Sequence, residues 1–344
     1  MTDEQWKKLI SVINGNVIAP LPVGFIIDSP WLPGWAGIST LDYFTSEQIW
    51  FDTNIKAIKK FPDITFLPGF WSEFGMCTEP SAFGSKCTWQ ENALPFADKI
   101  IRNIQDISNF SKPDPKTDGL LPFMLNRLKH LQSRIEQEGH AIRFAVARGP
   151  LNIASFLMGT TEFLMAIRTD PNETKTLLDI VTDFIIDWLK LQIETFRSID
   201  GIFVLDDIVG FMGDEDFRQS ALPYLKRIYQ SIDVAVKFFH NDAAGLVCAP
   251  YLADIGINLF NFSFEHGLDQ MKKLTNNKVT LLGNIPPRDV LGAGTPEDVR
   301  NSVKAALDSV EDKSRIIMSC GGGMPQDVST ENIEAFLTAV REYS

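Results

Sequence analysis

Arginine is missing from the start of this chain: none occurs before Arg102. Over all 344 residues, 32 Lys and Arg face 44 Asp and Glu, a formal net charge of −12. A surface of that sign repels phosphate and lacks the main source of affinity for nucleic acid, so no nucleic-acid partner is expected. Only 4 cysteines and 4 histidines are present. Four cysteines in a chain this long make no disulfide framework, which leaves each as a thiol or a metal ligand. No apolar run approaches the roughly 18–20 residues of a membrane span. The opening MTDEQWKKLISVINGN reads as an amphipathic helix, not a signal peptide. Together these absences predict a cytoplasmic protein with no membrane partner. The chain also has no CxxC, no HExxH, no P-loop and no GxSxG elbow. Any reactive centre must therefore be assembled from scattered residues.

What is present is a repeating alternation. Eight short apolar runs occur at 23–28, 64–70, 143–150, 201–207, 235–242, 257–266, 279–285 and 315–323. Parallel strands buried on both faces have this composition. Helix-period segments lie between them at 173–196, 214–232, 295–310 and 329–343, the last two opening at Thr295 and Ser329 as capped helices do. The stretch between the second and third runs is long and is expected to carry extra helices near 95–110 and 121–138. A doubly wound sheet is the competing fold, but no GxGxxG opens a helix after the first run. The pattern predicts an α/β chain, a (β/α)8 TIM barrel with N-terminal helical and loop insertions, in one domain over 1–344.

Barrel active sites lie at the C-terminal strand ends. Those ends hold Asp206 and Asp207, His240 and Asp242, Glu265 and His266, Asn284, and Cys320. One imidazole, several carboxylates and a thiol make a zinc inventory. Each also has a plainer role: the Asp206–Asp207 pair could bind backbone amides or cap a helix, and His240 could be a satisfied core histidine. Gly321, Gly322 and Gly323 leave the end of the Cys320 strand uncrowded. Cys77, Cys87 and Cys248 have no such company; Cys248 reads as a buried helix residue and the other two as loop residues.

The segments LLGNIPPRDVLGAGTPEDVRNSVKAAL and IIMSCGGGMPQDVSTENIEAFLTAV, with ARGPLNIASFLMG and DDIVGFMGDEDFRQSALPYLKRI, resemble the uroporphyrinogen decarboxylase superfamily over roughly residues 140–344. The resemblance implies a TIM barrel. It also implies one of two activities: porphyrinogen decarboxylation, or zinc-dependent, corrinoid-linked methyl transfer of the methylcobamide:coenzyme M methyltransferase kind. The decarboxylases grip substrate carboxylates with an arginine-rich segment near the first strand, where this chain has DSPWLPGWAGISTLDYF. The methyltransferases bind zinc through a His-x-Cys pair and a later Cys, with a Glu able to join. By position this implies His240, Asp242 in place of the first cysteine, Glu265 and Cys320 as metal ligands. A set with one thiolate and two carboxylates is harder than one with two thiolates, and suits polarising an oxygen better than activating a thiol. The expectation is therefore O-demethylation: methyl transfer from a methoxylated, aromatic small molecule to the Co(I) corrinoid (cobalamin) of a partner protein. Asp206, Asp207 and Asn284 are the expected catalytic residues. Trp31, Trp35, Phe70, Trp71 and Arg148 are the expected substrate contacts, although the rings could equally pack the long loops and Arg148 form a structural salt bridge. Glu73 and Glu79 are further carboxylates near the mouth. A homodimer is compatible with the sequence but not required by it. Methyl transfer to a thiol and decarboxylation are the alternatives.

Overall fold

The computed structural model describes residues 1–27 and 30–344. All eight apolar runs form strands. These are β1 (Val23–Ile26), β2 (Ile64–Leu67), β3 (Phe144–Arg148) and β4 (Gly201–Leu205). They continue as β5 (Val236–Asn241), β6 (Leu259–Phe262), β7 (Thr280–Ile285) and β8 (Ile316–Cys320). Asp28, which closes the first run, lies outside the described residues. The strands pair in the order β2-β1-β8-β7-β6-β5-β4-β3. Every pairing is parallel. The sheet curls into a TIM-barrel-like (β/α)8 wall with helices around it.

Alternation along each strand divides the core into two layers. Phe144, Val146, Phe203, Leu205, Val236, Phe238, Leu259, Leu282 and Ile317 form an inner cluster. Their neighbours Ala145, Ile202, Val204, Phe239, Phe260, Leu281, Ile316 and Met318 belong to the outer cluster, packed under the helices. The first helix, Asp3–Ile13, is held at its start by a capping box between Thr2 and Gln5. Its Trp6, Leu9 and Val12 join the inner cluster, with Trp6 edge-on to Phe144 at 5.6 Å. Burying an aliphatic side chain such as Leu9 or Val12 there contributes about 1.5–3 kcal/mol. The chain start also bridges the two sheet edges. The Met1 amine donates to Ala141 O at 3.1 Å, just ahead of β3, and Gln5 Nε2 donates to Ile64 O at 3.2 Å on β2.

Helices Pro171–Thr195, Pro296–Asp308 and Thr330–Tyr343 lie where periodicity puts them. Thr295 and Ser329 cap the last two through their side-chain oxygens. Two expectations need correction. The segment 214–232 is two helices, Asp214–Ser220 and Leu222–Gln230, because Pro223 cannot donate a backbone hydrogen bond and so starts a new helix. The segment 95–110 is not α-helical: Phe96–Ala97 pairs with Cys87–Thr88 in a small hairpin, and Ile104–Asn109 is a 3₁₀ turn. The helix expected near 121–138 is present as Leu121–Gln137. Among the described residues, no single helix is long and apolar enough to cross a bilayer.

Candidate metal centre

The same alternation that builds the core sorts the polar strand ends. Phe203 and Leu205 point inward on β4, and the next residue of that parity is Asp207. Val236 and Phe238 point inward on β5, and their series continues to His240 and Asp242. These three side chains meet, with one donor atom from each lying within 4.8 Å of the others. His240 Nε2 is 3.5 Å from Asp207 Oδ1 and 3.8 Å from Asp242 Oδ2. Both distances exceed a normal hydrogen bond. They are close to the roughly 3.3 Å that separates two ligands each about 2.0–2.1 Å from a tetrahedral zinc.

Neighbouring residues hold each member. Asp207 Oδ1 accepts the Asp242 N–H at 3.2 Å, and Asn152 Oδ1 accepts the Asp207 N–H at 3.1 Å. Burial pushes the Asp242 carboxyl above the usual carboxylate range; His240 opposes this and the Asp207 charge adds to it. Two carboxylates crowded around one imidazole are relieved by a cation. The glycine turn after β8 makes the space: a Cβ on Gly322 would stand 2.7 Å from Asp242 Oδ2, and its φ of +121° suits glycine. The ring of His240 is fixed from behind. Its Nδ1 is 2.8 Å from Asn261 Oδ1, and Asn261 Nδ2 donates to Leu282 O at 2.7 Å and Cys320 O at 3.1 Å.

Asp206 belongs to the other layer. Its fully buried carboxylate accepts the N–H groups of Leu151 at 2.9 Å and Asn152 at 3.0 Å, at the start of helix Pro150–Met158. Burial raises its pKa well above the ordinary value, opposed by those two amides. Cys320 follows Ile316 and Met318 into the outer cluster; its buried Sγ donates to Gly322 O at 3.2 Å, and it is not in the three-residue group. Glu265 is exposed on the turn after β6 and is also outside the group. Asn284 faces inward on β7 and donates from Nδ2 to His266 O, while His266 Nε2 meets Ala244 O at 2.5 Å.

Arg148 lies on β3 beside Leu205 of β4 and forms an ion pair with Glu73 Oε2 at 2.8 Å. Its backbone N–H reaches Glu79 Oε1 at 2.9 Å. Trp31 is fully buried, stacks on Trp35 at 5.3 Å and donates Nε1–H to Val328 O. Trp35 donates to Thr330 Oγ1 at 3.0 Å, and Phe70 stacks on Phe51 in the outer cluster. Trp71 is the exception: it belongs to the inner cluster and stands one ring away from His240, through Phe203. Among the described residues, two exposed rings follow the strand ends. Phe211 ends the turn that Asp207 begins, and Phe264 lies against Gly321. Cys248 is buried just ahead of a 3₁₀ turn, Cys77 precedes helix Thr78–Ala82, and Cys87 starts the small hairpin. A surface cavity of about 690 Å³ lies elsewhere, between residues 98–104 and helix Thr160–Thr169, and none of the strand-end polar residues lines it.

The uroporphyrinogen decarboxylase (URO-D) family model matches residues 8–343. The chain belongs to the uroporphyrinogen decarboxylase family. Curated members that it resembles include the uroporphyrinogen decarboxylases of Pseudoalteromonas translucida, 25% identical over 280 residues, and Psychromonas ingrahamii, 26% identical over 280 residues. Each alignment covers 78% of this chain and 76% of the relative. Among solved structures, a methyltransferase from Methanosarcina mazei superposes with a TM-score of 0.82 at 18% identity, covering 98% of both chains. At that identity the likeness speaks for the fold: this family member and the archaeal enzyme share one barrel.

Asn261 and Asn152 are the residues that strand-end reading misses. Asn261 was legible in outline, because INLFNFSF places an amide inside an apolar run at the inward parity of Leu259. A polar side chain there must find partners or cost stability. Asn152 gives no comparable signal, since its role depends on how a helix start meets the turn after β4.

Proposed function

We propose that this protein is a zinc-dependent methyltransferase that takes the methyl group of a methoxylated aromatic compound and passes it to the Co(I) corrinoid of a partner protein. The observation that carries this is the convergence of Asp207, His240 and Asp242 at the C-terminal strand ends. One imidazole nitrogen and two carboxylate oxygens form a hard donor set that fits zinc and favours an oxygen substrate over a thiol. Cys320 and Glu265 stand as reserve ligands by resemblance only. Bound there, the cation would act as a Lewis acid on the ether oxygen. With the partner docked, its Co(I) corrinoid would supply the electron pair that takes up the methyl group as the carbon–oxygen bond breaks, and the aryloxide released would take a proton from water. Asp207 and Asp242 would balance the charge of the cation, and His240 would supply its nitrogen donor. Phe211, at the end of the turn that Asp207 begins, and Phe264, against Gly321, offer exposed apolar faces for an aromatic ring. Arg148 would take a substrate carboxylate in exchange for Glu73.

The decarboxylase reading has the names of the curated relatives in its favour. Against it stands a chain with no arginine before Arg102 and a net charge of −12, ill suited to a polyanionic tetrapyrrole. The deciding experiment supplies zinc-loaded protein with Co(I) cobalamin and a panel of methoxybenzoates, followed by absorbance. Formation of methylcobalamin with release of the phenol is expected. Methyl transfer only from methylcobalamin to thiols, or release of carbon dioxide from uroporphyrinogen, would overturn the proposal.

A further inference from the structure

We infer that Asn261 is a positioning residue: it fixes the tautomer of His240 and through it sets the affinity of the Asp207–His240–Asp242 group for a cation. The inference deepens the metal-binding reading above and rests on it. The orientation of the Asn261 amide follows from its surroundings. One end faces two carbonyl oxygens, Leu282 O at 2.7 Å and Cys320 O at 3.1 Å, so that end is the NH2 group. The other end is therefore Oδ1, which can only accept, and it lies 2.8 Å from His240 Nδ1. The imidazole must place its proton on Nδ1. A neutral ring has one such proton, so Nε2 carries a lone pair, and Nε2 is the atom that faces Asp207 and Asp242.

No other side chain at 261 reproduces this fork. Aspartate would turn its second oxygen against the two carbonyls. Leucine would leave a buried Nδ1–H without an acceptor, an arrangement the ring escapes by moving its proton to Nε2 or by turning. Either way the lone pair leaves the centre. Asn261 is fully buried and ties β6, which carries it, to His240 on β5, Leu282 on β7 and Cys320 on β8. Partners behind a ligating histidine commonly hold about 10–100-fold in metal affinity.

Long-range ¹⁵N–¹H spectra of the full-length, metal-free protein at about pH 8, where a free imidazole is neutral, read the tautomer directly. The chain has 4 histidines, and His240→Gln assigns the signal. The Nδ1–H form is expected in the wild type. Asn261→Leu should lose that form and raise the zinc dissociation constant about 10–100-fold. Phe336→Leu, a change in the outer layer, should lower stability and alter neither quantity. An Nε2–H tautomer in the wild type, or an Asn261→Leu protein with unchanged tautomer and zinc affinity, would overturn the inference. The wild-type spectrum decides even where the variant fails to fold. A wild type that shows the Nδ1–H form and binds no zinc would overturn the metal-binding reading instead.

Discussion

Asp206 and Asp207 are adjacent in the chain and serve opposite sides of the barrel wall. Asp206 binds the amides of Leu151 and Asn152 under the helices, whereas Asp207 Oδ1 stands 3.5 Å from His240 Nε2 inside. One residue of register separates a structural carboxylate from a candidate ligand.

Their substitutions should therefore part company. Asp206→Ala strands two buried N–H groups and is expected to cost about 2–4 kcal/mol in urea unfolding. Asp207→Ala, partly exposed, should cost less than about 1 kcal/mol and instead weaken zinc binding, measured by competition with a chelating dye. Equal stability losses with equal zinc affinity would contradict the assignment of the two layers.

The ligand set can be tested by the same titration. His240→Ala and Asp242→Ala should abolish tight zinc binding in the protein as purified from zinc-supplemented medium. Glu265→Gln should leave it unchanged, since Glu265 is exposed and outside the group. Loss of zinc in Cys320→Ala, with the fold intact by circular dichroism, would bring the thiol into the centre.

Gly322 offers a steric probe. A methyl group there would meet Asp242 Oδ2 at 2.7 Å on a backbone with φ of +121°. Gly322→Ala should push the carboxylate away and weaken zinc at least about tenfold, while its strain costs about 1–2 kcal/mol. An unchanged affinity would show that Asp242 is not held by this turn.

Glu79 predicts a pH dependence. Its carboxyl is buried, Oε2 lacks a hydrogen-bond partner, and burial lifts the pKa from 4.5 to about 7 against the pull of Arg148. The folded chain thus binds this proton more tightly than the unfolded chain. Stability should fall as pH rises from about 4.5 to about 7, by about 3 kcal/mol, and level off above that window. Urea unfolding of the wild type and Glu79→Gln across the window measures the difference, which should disappear in the variant's slope. Parallel slopes would refute the shift.

Much of this was legible in the sequence because parallel barrel strands announce themselves as apolar runs. All eight runs are strands, and their ends set the level at which His240 and Asp242 stand. Parity carries the rest: counting by twos from Phe203 separates Asp207 from Asp206, and counting from Ile316 puts Cys320 under the helices. The rings of Trp31, Trp35 and Phe70 could not be placed in advance. Their burial depends on where the 68–143 insertion and the C-terminal helix settle, which no local pattern encodes. The hairpin within 87–97 was hidden for a similar reason, since two-residue strands leave no periodicity to read.

The helix Asp3–Ile13, with Trp6, Leu9 and Val12 in the barrel's inner cluster, has a consequence for traffic. It packs against the starts of β2 and β3, at the end of the sheet away from the strand ends that carry Asp207, His240 and Asp242. Under the proposed chemistry a small substrate and a large partner would then both approach the group from the strand-end side, and the partner, once seated, would cover it. Under the proposed chemistry the small molecule must arrive first and its product leave last, which makes the order of binding a property of the architecture.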